Sequence, residues 1–63
     1  MNGKEWVVEL EPGVWIAPIN GDPGRTLIKA SATRFASQYK AELALQRARK
    51  SRPFLLAEVQ RTF

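Results

Sequence analysis

Three glutamates, Glu5, Glu9 and Glu11, recur at even spacing through one apolar stretch, so a strand there would set them along one face. Such a row can hold a hard cation or set up acid–base work. It also solvates a strand and discourages edge-to-edge aggregation, the commoner reason for strand-face carboxylates. The chain contains no histidine and no cysteine. That removes the commonest general base, the commonest metal ligand, thiolate metal sites and disulfides together. No serine constellation takes their place. The residues therefore predict a non-enzymatic chain with no catalytic set, no metal, no cofactor and no small-molecule substrate.

The cations form the other group with chemistry to offer. Arg47, Arg49, Lys50 and Arg52 follow one another closely, and such a cluster can neutralise phosphates or meet acidic residues of a protein. It can equally complement the dipole at a helix end, each charge contributing about 0.3–1 kcal/mol. Gly21-Asp22-Pro23-Gly24-Arg25-Thr26 reads as a connecting loop. It has the makings of an anion nest, with Arg25 and Thr26 as donors, but lacks the spacing of a phosphate loop. Arg49, Arg52 and Arg25 are the phosphate-binding candidates. Tyr39 and Leu43 stand four residues apart, among Lys40, Gln46, Arg47 and Lys50. On a helix they make an apolar centre with a basic rim, the anatomy of a protein interface. Tyr39, Leu43, Arg47 and Lys50 are the partner-binding candidates, for another protein or for a second copy of the chain.

These side chains need elements to position them. The 63 residues, 44% hydrophobic and 25% charged, predict one folded domain near the lower size limit for an unaided core. Glu5 to Leu10 reads as a strand, Glu11-Pro12-Gly13 as a turn and Val14 to Pro18 as the returning strand. With Glu11 facing Val14, the pairs Leu10/Trp15, Val8/Ala17 and Trp6/Ile19 would share one apolar face; a bulge at the turn would change that sorting. Asn20 to Gly24 is loop. Residues 26–35 read as one short strand or two, or as an extension of the following helix back to Ala30. Ser37 is the expected N-cap of a helix running toward Ser51, and Arg52-Pro53 ends it. Ala41, Ala44, Leu45 and Ala48 share one helical face, a narrow stripe that admits large sheet residues such as Trp6, Trp15 and Phe35. Phe54 to Thr62 reads as the last strand. The expected fold is α+β: a mainly antiparallel sheet of three or four strands, covered on one face by a single α-helix.

The charge is two-sided. Residues 1–23 hold one lysine against four carboxylates, net −3, and residues 24–63 nine Lys/Arg against two carboxylates, net +7. No apolar run approaches the roughly 20 residues of a membrane span. Met-Asn-Gly-Lys-Glu-Trp lacks the apolar core of a signal peptide. A cytoplasmic location away from membranes is expected.

Trp6-Val7-Val8, Gly13-x-Trp15, Arg34-Phe35, the Ala41…Ala44-Leu45…Ala48-Arg49 helix and Ala57-x-Val59 together resemble small bacterial and phage domains built as β-hairpin, helix and final strand. The resemblance rests on core and turn residues, so it implies a fold and transfers no site. Small phage proteins of this profile include inhibitors of host machinery, which implies a protein-interaction role. A looser similarity links the order of elements to integrase-arm DNA-binding domains, whose sheet enters the major groove. Glu9 and Glu11 on the predicted outer hairpin face would repel phosphate there. The expected function is a macromolecule-binding module acting on protein through the outer helix face. The alternative is nucleic-acid binding through the basic helix end.

Overall fold

A computed structural model of the chain describes residues 5–21 and 23–62. Met1–Lys4, which entered the signal-peptide reading, and Asp22 of the expected loop lie outside the described residues. Four strands and one helix form an α+β fold: β1 (Trp6–Glu11), β2 (Val14–Ile16), β3 (Arg25–Thr26), α1 (Gln38–Ala48) and β4 (Glu58–Arg61). The sheet is antiparallel, in the order β3-β2-β1-β4. Among the described residues no helix is long and apolar enough to cross a membrane.

The hairpin closes at Pro12-Gly13 with Glu11 opposite Val14, and Gly13 takes the positive φ of 82° that the turn demands. The next pair is Glu9 with Trp15, which leaves Leu10 as the extra residue of a bulge. This corrects the sorting expected from an unbroken register. Ile16, not Trp15, packs with Val8 and Leu10 in the core, and Trp15 falls on the other face beside Glu9. The bulge reconciles Pro-Gly, whose turn twists poorly with a tight hairpin, with a core that needs Leu10 inside.

Residues 26–35 do not extend the helix, and the short strand expected there is shifted to Arg25–Thr26. Only Arg25–Thr26 pairs with β2, Lys29–Ser31 makes a 3₁₀ turn, and Phe35 forms an isolated bridge with Trp6. Since β4 occupies the other edge of Trp6, Phe35 continues the edge of β1 that β2 leaves after Ile16. Ser37 caps α1 as expected, its Oγ accepting from the Lys40 amide at 3.2 Å. The α-helix stops at Ala48, short of Ser51: the amides of Lys50 and Ser51 donate to the carbonyls of Arg47 and Ala48, which tightens the last turn into 3₁₀ form.

Ala41, Leu45 and Ala48 are buried against β1 and β4, with Val8, Leu10 and Phe54 completing the cluster. Two small side chains in that stripe bring α1 close enough for Trp6 and Phe35 to fill the margins. Val7, Ala17 and Ala32 are buried outside this cluster. The final strand is shorter than expected. Phe54 takes a left-handed φ of 48°, and the Ala57 amide donates to the Phe54 carbonyl, so residues 54–57 turn and pairing begins only at Glu58. A backbone that turns left at Phe54 cannot continue as a strand.

Candidate protein-binding surfaces

The three carboxylates, Glu9 and Glu11 of β1 and Glu5 just before it, do not form a row. Glu5 pairs with Arg61 at 2.6 Å and Glu11 with Arg52 at 3.1 Å. Glu9 accepts from the Gly13 amide at 3.0 Å and from Gln60 Nε2 at 2.7 Å. The bulge separates Glu9, on the face of Trp15 and Glu58, from Glu11, which lines a hollow beside the core residue Phe54. Each carboxylate thus has an internal partner. Among the described residues no group of three or more His, Cys, Asp or Glu can hold a metal ion.

The basic cluster divides in the same way. Arg49 donates from Nε to the Pro53 carbonyl at 3.0 Å and from Nη2 to the Phe54 carbonyl at 3.4 Å. Arg52 pairs with Glu11, and its guanidinium carbon lies 5.3 Å from the centroid of the Phe54 ring. Two of the phosphate candidates are therefore tied to the chain reversal that follows the helix. Arg25 stands apart from Arg49 but lines the same hollow as Arg52. Arg25 and Thr26 form β3, paired with β2, and both line that hollow. The Thr26 hydroxyl oxygen accepts from the Ile28 amide at 3.1 Å.

On α1 the outer side carries the expected side chains. Tyr39 is 70% exposed; Leu43, at 36%, leans into a shallow groove with Phe35, Lys40, Ala44 and Arg47. Arg47 thus stands beside Leu43, whereas Tyr39 and Lys50 project into solvent outside that groove. The apolar centre is consequently split, with Leu43 against the sheet margin and Tyr39 on the crown of the helix.

A second apolar surface was not anticipated from the sequence. Leu55 and Leu56 are 84% and 69% exposed at the tip of the turn begun by Phe54, and Leu27 is 76% exposed just beyond β3. Turn tips normally carry Gly, Asn, Asp or Ser, so two leucines there run against turn chemistry. The cause of the surface is the placement of α1. The helix covers β1 and β4 and leaves the β2–β3 half of the same sheet face open beside Phe54. The only sequence signal was the Leu-Leu pair after Arg-Pro, which also reads as strand.

No family model, no curated protein and no solved structure matches the chain. Function must therefore be argued from these surfaces.

Proposed function

We propose that the chain is a non-enzymatic protein-binding module that meets its partner, another protein or a second copy, through the outer side of α1. The observation that carries this reading is the exposed Tyr39 beside the half-open groove of Leu43, with Lys40 and Arg47 at its rim. An aromatic and apolar centre with a polar rim is the usual make-up of a protein interface. Lys50, one helical turn beyond Arg47, extends that rim. Nucleic-acid binding ranks second, because Arg49 and Arg52 already donate within the fold and the aromatic ring beside Arg52, Phe54, is buried and offers no face for base stacking.

The test compares the wild type with Tyr39→Ala and Leu43→Asp. Sedimentation is expected to show either self-association that both variants lose, or a monomer whose captured protein partner both variants release. Partner binding that survives in both variants would defeat the reading. Titration with labelled DNA and RNA at two salt concentrations separates the alternative: a steep loss of affinity with salt would favour phosphate contacts.

A further inference from the structure

We propose that the surface at the opposite end of the helix, around Leu27, Leu55 and Leu56, is a docking groove for an acidic, apolar segment of a partner protein. Two hollows, of roughly 350 and 430 Å³, meet there and share Glu11, Arg52 and Phe54. The first has Val14 and Leu27 as its apolar wall and Arg25 at its margin; the second is walled by Pro12, Pro53, Leu55 and Leu56. The Arg52–Glu11 ion pair lies between them. Hollows with apolar walls take apolar side chains, and two adjacent ones take a segment that presents two.

Charge selects the occupant. The one carboxylate of the groove, Glu11, is engaged by Arg52, whereas Arg25 has no ion-pair partner among the described residues. The groove therefore presents an excess cation next to leucine walls. The wider surface agrees, because the chain carries net +4 and the carboxylates of β1 are held by internal partners. A partner carrying Asp or Glu beside apolar residues complements both features. A second copy docked groove to groove would bring Arg25 against its own like charge, and a phosphate chain would leave the leucines in water.

The backbone supports a built surface. Phe54 is buried, yet sits at φ 48°, a conformation costly for a large side chain. Arg49 clasps the carbonyls on either side of that residue's amide link, and Arg52 covers its ring. Three residues thus hold Leu55 and Leu56 out in solvent.

Peptides selected from a random display library on the wild-type chain test the proposal. Enriched sequences are expected to combine apolar residues with Asp or Glu. They should bind Leu56→Asp at least tenfold more weakly, and Arg25→Glu should turn the preference toward basic peptides. Both positions are exposed, and circular dichroism confirms folding of each variant. Tyr39→Ala and Leu43→Asp should leave these peptides bound, so failure here is distinguishable from failure of the helix-face reading. Enrichment without an acidic bias, affinity indifferent to Leu56→Asp, or no enrichment at all would overturn the proposal. A wild-type dimer that Leu56→Asp dissociates would assign the groove to a second copy and overturn it equally.

Discussion

Arg49 reaches past the end of its own helix to the carbonyl of Pro53, donating from Nε across 3.0 Å, with a second bond to the Phe54 carbonyl. This clasp gives Arg49, the C-cap of α1, a structural role beyond the charge it offers the helix dipole. It fixes the backbone where Phe54 turns left-handed and the chain enters β4.

Arg49→Ala should accordingly lower stability by about 1 kcal/mol, a value set by two charge-assisted bonds at a largely exposed site. Arg49→Lys should recover little, since a single ammonium does not reproduce a fork that spans two carbonyls. Urea midpoints measure both, and amide exchange at Leu55 and Leu56 should quicken in each.

The close approach of α1 to the sheet gives a second expectation. Ala41 is fully buried, so Ala41→Leu forces the helix outward and should cost about 1–3 kcal/mol. Leu43→Asp, two residues on and partly exposed at the groove margin, should cost less, about 1 kcal/mol. Thermal melts of the pair check which side of the helix faces the sheet. Equal and large losses would mean that Leu43 is core.

Gly24 lies under the turn that follows β2. A Cβ built there would collide with the carbonyl oxygen of Ile19 and stand 2.6 Å from that of Ala17, while the Gly24 carbonyl accepts from the Ala17 amide at 2.9 Å. Backbone cannot step aside as a flexible side chain does, so Gly24→Ala should cost about 1–3 kcal/mol. Its urea midpoint should fall well below that of a control at exposed Ala30.

At the helix start, Ser37→Ala removes the acceptor for the Lys40 amide and should cost about 1 kcal/mol. Ser37→Asp keeps an acceptor and adds a favourable charge near the dipole, so it should melt no lower than the wild type.

The turn, the cap and the alanine stripe were legible because each is a local signal: Pro12-Gly13 restricts its own backbone, Ser37 serves an amide three residues on, and Ala41 to Ala48 repeat at the helical period. A bulge at Pro12-Gly13 was legible as a possibility, but not its outcome, because that depends on whether Ile16 or Trp15 joins Leu10 in the core. That contest is settled by packing against Phe54 and α1, far along the chain. Phe54 to Ala57 misled for the same reason. Leu55, Ala57 and Val59 alternate like a strand, whereas the left-handed Phe54, its carbonyl bonded by the Ala57 amide and by Arg49, makes a turn. The outer helix residues were placed correctly by periodicity, whereas the Leu27–Leu56 surface arises from where α1 happens to stop covering the sheet.

Trp15 retains a trace of that contest. Its Nε1 is buried with no hydrogen-bond partner among the described residues, a costly state for a donor. Trp15→Phe removes the donor and keeps an aromatic ring, so the melting temperature should hold or rise. A clear fall would show that indole bulk matters more than its orphaned N–H.

The strand order carries a consequence for the open edge of β1. β1 is an inner strand whose outer neighbour is β4, with Trp6 paired to Arg61. Wherever α1 and β4 come away from the hairpin, Val8 and Leu10 are bared and that edge of β1 is open. Glu5 and Glu11 then lose Arg61 and Arg52, and residues 1–23 carry net −3. Like charge on two such hairpins opposes pairing edge to edge. The acids that bind the closed fold together are thus also placed to guard its opened edge.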